Sequence, residues 1–181
     1  MNQTVFNPSA KKSYTVQSYT KGAEIDGVEL VTLKRFNDDG GSFMELSRLT
    51  KGATEHFKNF EARQINYSEM DPGVIKAFHL HRAQADVWFV PPSGKMLVVL
   101  VDVRAGSKTE NAVMRLVMGD GNARLLRIPA GVAHGVKNIA AASGSIIYFV
   151  DQHFNPDPKS CDEGRLPWDF AGAGLWDITK G

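Results

Sequence analysis

Two histidines and an acid are closely spaced in the segment GVIKAFHLHRAQAD, residues 73–86. His79 and His81 are one residue apart, and Asp86 follows five positions after the second histidine. If residues 74–81 form a strand, alternate side chains share one face, so the two imidazoles lie roughly 6.5 Å apart at the backbone and can converge on one point. The predicted face consists of Ile75, Ala77, His79 and His81.

These residue types allow three interpretations. Together with His134 in the turn PAGVAHGVKN, they offer three imidazoles and a carboxylate, a set that binds a divalent ion such as zinc or iron. An imidazole with a pKa near ~6.5 is also mostly neutral at pH 7 and can accept a proton from an organic substrate. The third interpretation is that the histidines fill a core. For Asp86 to reach a metal, the chain must bend between residues 82 and 85, because position 86 has the wrong parity for one continuous strand.

The elements that would position these side chains are short strands. Segments rich in β-branched, aromatic or alternating apolar residues are GVELVTLKRF, VIKAFHLH, DVWFV, KMLVVLVDVR, AVMRLVM, ARLLRI and SIIYFVDQHF. Turn-forming stretches such as NDDGG, MDPG and GDGN separate them. The pattern predicts an all-β sandwich, jelly roll or barrel. We expect a single domain over residues 1–181, with an arm (1–25), a β-barrel (26–154) and an irregular tail that wraps the barrel (155–181).

The composition argues against several kinds of partner. Lys and Arg number 21 against 20 acidic residues, so the net charge of +1 provides no field to attract nucleic acid or an anionic membrane. The one cysteine, Cys161, has no second cysteine to pair with, which fits a reducing compartment. The first residues lack an apolar signal core, and the apolar run MLVVLV is too short to cross a bilayer. We therefore expect a cytoplasmic protein with a small, specific ligand.

Two spacings in the chain resemble the signature motifs of the cupin superfamily. The first is G-x5-H-x-H-x4-acid from Gly73 to Asp86, and the second is P-x-G-x2-H-x3-N from Pro129 to Asn138. The resemblance implies a double-stranded β-helix, a jelly-roll barrel. In metal-binding cupins this pattern implies a single divalent ion held by His79, His81, Asp86 and His134.

A narrower resemblance spans residues 26–176. The segments DGVELVTLKRFNDDGGSFMEL, FEARQINYSEMDPGVIKAFH, RIPAGVAHGV, IIYFVDQHF and RLPWDFAGAGLWDI are similar, in order, to stretches of the dTDP-4-dehydrorhamnose 3,5-epimerases and their sugar-nucleotide relatives. This resemblance implies an enzyme that uses no metal. It also implies a homodimer in which an N-terminal strand helps to build the neighbour's pocket.

The resemblance implies roles for individual residues. His79 corresponds to the base that removes a proton beside the C4 ketone of the sugar, and Tyr148 to the tyrosine that returns a proton from the opposite face. His134 corresponds to a histidine of the substrate pocket. The positions that correspond to nucleotide or sugar contacts are Phe43, Glu45, Gln64, Asn66 and Ser68.

Departures from the family's pattern cluster at its active site. An arginine that contacts the diphosphate is Gly40 here, and the lysine that stabilises the enolate aligns with Asp86. The later S-x-K-D segment, whose aspartate pairs with the catalytic histidine, has no counterpart. Losing a preorganised oxyanion donor typically raises the barrier by ~2.7–4 kcal/mol. Either the reaction or substrate differs, or another side chain that binds the substrate acts as the donor: Lys76, Arg82 or His81.

Three hypotheses therefore remain at the level of sequence. The main one is a metal-free epimerase or isomerase acting on a nucleotide-linked 4-keto-6-deoxyhexose. Within it, AFHLHR is similar to G-F-H-A-H-K of the sugar 3,4-ketoisomerases, which implies a second catalytic histidine at His81. The alternative is a metal-dependent cupin, either a dioxygenase or an isomerase. The third is a sugar-binding cupin without catalysis.

Overall fold

The computed structural model describes residues 4–16 and 22–178. Residues 1–3 and 17–21 of the predicted arm and residues 179–181 of the predicted tail therefore lie outside the described part. The elements are α1 (Pro8–Ser13), β1 (Glu29–Thr32), β2 (Arg35–Asp38), β3 (Gly41–Met44), β4 (Leu49–Thr50), β5 (Ala53–Thr54), β6 (Gln64–Met70), β7 (Ile75–Leu80), β8 (Asp86–Phe89), β9 (Lys95–Asp102), β10 (Val113–Gly119), β11 (Arg124–Ile128), β12 (Val132–Asn138), β13 (Gly144–Val150), β14 (Gly164–Arg165) and a 3-10 helix, η1 (Ala173–Trp176). Within the described residues, no helix is long and apolar enough to cross a bilayer.

Two antiparallel five-stranded sheets form the body of the molecule. The first has the strand order β1-β11-β8-β13-β6, and the second has the order β10-β9-β12-β7-β14. The hairpins β2–β3 and β4–β5 lie outside them. Strands β6, β7, β8 and β9 alternate between the two sheets, and such crossovers are typical of a jelly roll. The predicted all-β jelly-roll fold is confirmed.

Apolar residues pack in three layers, one between the sheets and one on the outer face of each sheet. Val98 and Leu100 belong to the inner cluster, while the alternate residues Leu97, Val99 and Val101 belong to the cluster on the second sheet. The outer layer of the first sheet includes Phe57, Phe60, Val87, Phe89 and Phe149. Because the central strands are buried on both faces, they appear in the sequence as continuous apolar runs such as KMLVVLV.

The C-terminal residues cover the second sheet and extend it. β14 pairs with β7, which places Gly164 opposite Leu80 and Arg165 opposite His79. Trp176 is 2% exposed and packs on Phe78 with ring centroids 5.4 Å apart. Most of the described tail is irregular, as predicted, and its residues Gly164 and Arg165 form a short strand that extends the sheet beyond β7.

Candidate active site

A cavity of about 730 Å³ lies between the two sheets. Its floor includes members of the inner apolar cluster, Trp88, Val136 and Ile146. Strands from both sheets and the segment after β13 contribute to its wall. The predicted site residues that line it are Gln64, Asn66, Ser68, Lys76, His79, His81, Asp86, His134 and Tyr148.

Strand β7 and the residue after it bring two histidines and a lysine to the cavity. His79 lies opposite His134 of β12, but the next pair is Lys76 with Val136, so β7 has one extra residue at this point. Such a bulge inverts the alternation of side chains, and Lys76 therefore also lines the cavity. The predicted shared face was right for the two histidines and wrong for Ile75 and Ala77, which pack in the outer cluster of the second sheet.

His79 is held by an acid that sequence analysis did not identify. Its Nδ1 lies 3.1 Å from Oε1 of Glu163, the residue before β14. Burial lowers the pKa of His79 below its ordinary value, and the charge of Arg165 lowers it further, while Glu163 acts in the opposite direction. A lowered pKa keeps the imidazole neutral at pH 7, which is the form that accepts a proton.

Tyr148 approaches the cavity from the facing sheet. It lies on β13, between Trp88 of β8 and Asn66 of β6. Burial raises the pKa of the Tyr148 hydroxyl, so the phenol stays protonated at neutral pH. The cavity thus presents a proton acceptor on one wall and a proton donor on the other.

Polar side chains of β6 make a third part of the wall. The amide of Gln64 donates to the Asn66 side chain at 2.8 Å. The ammonium of Lys76 donates to Ser68 Oγ at 3.0 Å and to the carbonyl oxygen of Glu69 at 2.8 Å. Lys76 is therefore held in place by β6, with its charge at the cavity.

A buried polar network lies beside His79. Asp86 Oδ1 accepts from the Gln84 amide at 2.8 Å, and its Oδ2 accepts from Trp88 Nε1 at 3.0 Å. Nε2 of His134 is 3.7 Å from Asp86, and Nε2 of His81 is 4.0 Å away. Trp88 follows Asp86 by two residues on β8, so strand alternation in DVWFV was the sequence signal that could have identified it.

Backbone carbonyls set the tautomers of the two buried histidines. Nδ1 of His134 is 3.0 Å from the Val132 carbonyl, and Nδ1 of His81 is 3.1 Å from the Asp162 carbonyl. Because a carbonyl oxygen only accepts, each Nδ1 carries the hydrogen and each neutral ring has an unprotonated Nε2. Burial lowers the pKa of His134 to about 4, so this ring is neutral at pH 7.

Three of the four residues of the metal-binding alternative converge. His81, Asp86 and His134 are buried, and their ligand atoms lie within 4.8 Å of one another. His79 is outside this group. Such a set is chemically suited to a divalent cation, with fewer protein ligands than the sequence alternative assumed.

The chain bends between residues 82 and 85, which lets Asp86 reach the buried histidines, and Asp162 stabilises this bend. Its carboxylate accepts hydrogen bonds from the backbone N–H groups of Arg82, Ala83 and Gln84 at 2.9, 3.0 and 2.9 Å. The turn lets Asp86 point back into the cavity on the next strand. No local sequence signal links residue 162 to this turn, because the contact joins segments about eighty residues apart.

Three predicted substrate-binding residues lie outside the cavity lining. Phe43 is 63% exposed on β3, where its ring packs against Phe36. Glu45 forms an ion pair with Arg48 at 2.8 Å. The side chain of Arg82 is exposed on the turn after β7. The roles of these residues remain predictions.

Comparison with known proteins points to one family. Residues 22–169 match the family model described as dTDP-4-dehydrorhamnose 3,5-epimerase. The spore coat polysaccharide biosynthesis protein SpsL of Bacillus subtilis is 45% identical over 145 residues, which are 80% of this chain and 91% of that protein. The probable low-salt glycan biosynthesis epimerase Agl13 of Haloferax volcanii is 30% identical over 145 residues, 80% of this chain and 89% of that protein.

A solved structure extends the match to three dimensions. The dTDP-4-dehydrorhamnose 3,5-epimerase of Bacillus anthracis, a crystal structure with TDP and PPi bound, superposes with a TM-score of 0.69 at 26% identity. The alignment covers 88% of this chain and 91% of that one. All the strands and all the residues that line the cavity lie within residues 22–169, the span that the family model matches.

Proposed function

The chain belongs to the dTDP-4-dehydrorhamnose 3,5-epimerase family and is an epimerase of sugar nucleotides, and from that premise we propose its substrate and its proton carriers. The substrate is a dTDP-linked 4-keto-6-deoxyhexose, inverted at carbon 3, carbon 5 or both. The observation that carries the proposal is that His79 and Tyr148 line one cavity from facing sheets. Family membership favours this function over the metal-dependent and non-catalytic alternatives.

The chemistry begins at His79. The hydrogen on Nδ1 is directed at Glu163, so Nε2 carries a lone pair that can remove the proton beside the C4 ketone. The electron pair of the broken C–H bond moves into the C3–C4 or C4–C5 bond and onto the ketone oxygen, giving an enolate. Tyr148 then donates its hydroxyl proton to the opposite face of that carbon, which inverts it. Solvent reprotonates the tyrosinate and accepts the proton from His79.

Lys76 is the group best placed to stabilise the enolate oxygen. Of the three sequence candidates, Arg82 lies outside the cavity lining, whereas Lys76 and His81 line it. Both ring nitrogens of His81 already have partners, since Nδ1 lies 3.1 Å from the Asp162 carbonyl and Nε2 lies 3.3 Å from the Gln84 amide nitrogen. The Lys76 ammonium is fixed by Ser68 and Glu69 and requires little reorganisation as negative charge develops.

The nucleotide is proposed to bind along β6 and against a second protomer. Gln64, Asn66 and Ser68 supply hydrogen-bonding groups on the wall of the cavity. Phe43 and Glu45, outside this lining, would instead reach the cavity of the partner in a homodimer. Exposed apolar side chains on the hairpin β2–β3 and on the edge strand β6 support such a contact: Phe36, Phe43, Ile65 and Tyr67. Light scattering at micromolar concentration should give the mass of a dimer, and a monomer would refute this part of the proposal.

The enzyme is proposed to need no cofactor and to act in the cytoplasm. Proton transfer at a carbon beside a ketone requires an acid, a base and an oxyanion donor, all of which the cavity residues provide chemically. The single cysteine, Cys161, fits a reducing compartment.

Solvent isotope exchange tests the function. The protein is incubated in deuterium oxide with dTDP-4-keto-6-deoxyglucose, and the sugar is followed by proton NMR. Loss of the C3 or C5 proton signal, with formation of an epimer, is the expected result. Metal analysis is run on the same sample, prepared without added ions. Absence of exchange together with a stoichiometric metal would refute the proposal and favour a metal-dependent reaction.

A further inference from the structure

The segment Asp162–Arg165 is fixed against β7 on both sides of Glu163. Asp162 binds the turn after β7 through three backbone N–H groups. β14 pairs with Leu80 and His79, and the backbones of Phe78 and Leu166 exchange two hydrogen bonds at 3.0 and 3.1 Å. These backbone contacts fix the position of Glu163 independently of its side chain.

From this position, the carboxylate of Glu163 meets the imidazole of His79. The Nδ1–Oε1 distance is 3.1 Å, and the side chains are 24% exposed for His79 and 34% exposed for Glu163. An ionised carboxylate only accepts hydrogen bonds, so this contact selects the tautomer with hydrogen on Nδ1. Arg165 Nη2 lies 3.5 Å from the same carboxylate oxygen and restrains it from the other side.

Other charged and titratable groups lie near the His79 ring but make no hydrogen bond with it. His134 on β12 stacks against it with ring centroids 6.0 Å apart, and His81 lies two residues along the chain. Asp86 on β8 and Tyr148 on β13 lie on the facing sheet. Among the described residues, Glu163 is the only hydrogen-bonding partner of the His79 side chain.

We propose that Glu163 is the positioning residue of His79: it fixes the Nδ1–H tautomer and the ring orientation, leaving Nε2 free to take the substrate's proton. The catalytic role of this contact rests on the proposed function. Glu163 lies directly before β14 and precedes the RLPWDF stretch in the chain.

Two substitutions at this position test the inference. Glu163→Ala removes the acceptor, and Glu163→Gln keeps the size but replaces an accept-only group by one that can also donate. In both variants kcat should fall about ten- to a hundredfold, the range seen when the hydrogen-bonding partner of a metal-ligating histidine is replaced, with KM little changed. Asp169→Asn, a carboxylate substitution on an exposed turn of the same tail outside the cavity lining, is the matched control and should leave kcat unchanged.

A spectroscopic measurement separates positioning from a general structural effect. Nitrogen-15 NMR of the histidine side chains, with His79 assigned from a His79→Gln sample, reports which ring nitrogen carries hydrogen and needs no substrate. The wild type should show the Nδ1–H tautomer, and both Glu163 variants should show a mixture. A fall in kcat with an unchanged tautomer would overturn the inference, as would a changed tautomer with unchanged kcat. If the wild type turns over no 4-keto sugar nucleotide, the proposed function fails, and the tautomer measurement alone then decides whether Glu163 orients His79.

Discussion

His79 and Tyr148 approach one cavity from opposite sheets, the imidazole on β7 and the phenol on β13. Burial shifts the pKa of each away from the charged form, so the two groups meet a substrate as neutral base and neutral acid. A pyranose ring between them would have a proton acceptor on one face and a proton donor on the other. Substitutions at the two positions should therefore have different effects.

Replacing His79 should stop proton removal. His79→Gln leaves a side chain that cannot act as a base, so exchange of the C3 and C5 protons with solvent should fall by at least ~10²–10⁴-fold. Binding of the dTDP-sugar, measured by calorimetry, should stay within severalfold of wild type. His56→Gln, outside the cavity lining, should exchange at the wild-type rate. Undiminished exchange in the His79 variant would rule this residue out as the base.

Replacing Tyr148 should separate exchange from inversion. In Tyr148→Phe the base is intact, so deuterium should still enter the sugar on the face of His79. The epimer should form ~10²–10⁴-fold more slowly, because no acid remains on the opposite face. NMR measures label and configuration in the same sample. Equal losses of exchange and inversion would show that Tyr148 does more than return the proton.

Replacing Lys76 should slow the chemical step. Lys76→Met removes the ammonium and keeps most of the apolar stem, so kcat should fall about a hundred- to a thousandfold, as for loss of one oxyanion donor. Lys159→Met, an exposed lysine outside the cavity lining, is the control. A rise in KM without a change in kcat would instead assign Lys76 to ground-state binding of the substrate.

His134 should make the fold sensitive to mild acid. Its pKa is about 4 in the folded protein, because of burial, against an ordinary value of 6.5. Between these values the unfolded chain binds more protons, so this contribution is fully present above pH 6.5 and is lost as the pH falls towards 4. The loss should approach about 3 kcal/mol of the free energy of unfolding.

Urea denaturation at pH 7 and pH 4.5 measures this loss. The difference in unfolding free energy between the two pH values should shrink in His134→Gln and stay at the wild-type size in His56→Gln. An unchanged difference in the His134 variant would mean that other groups cause the acid sensitivity.

Gly135 allows β12 to pack closely against β7 and the tail. A Cβ at this position would collide with the Ala77 side chain and lie 2.9 Å from the Trp176 ring. Gly135→Ala should therefore destabilise the fold by about 1–3 kcal/mol, the usual cost of overpacking. At Gly40 the nearest atom to an added Cβ is 3.5 Å away, so Gly40→Ala should unfold at the wild-type urea concentration. Equal midpoints for all three proteins would contradict the packing argument.

The all-β fold and the directions of the two histidines of β7 could be predicted from local patterns in the chain. Strand alternation is a local property, so the shared direction of His79 and His81 follows from their spacing. The two motif spacings indicated that Asp86 and His134 belong beside them, and the structure brings these side chains together.

The other groups of the cavity come from contacts between distant parts of the chain. The extra residue in β7 turns Lys76 inward and Ala77 outward, and bulges depend on pairing with a partner strand rather than on local sequence. The contacts of Asp162 and Glu163 join segments about eighty residues apart, through the pairing of β14 with β7. No spacing within the chain specifies such a contact, because it forms only when the packed sheets bring the two segments together.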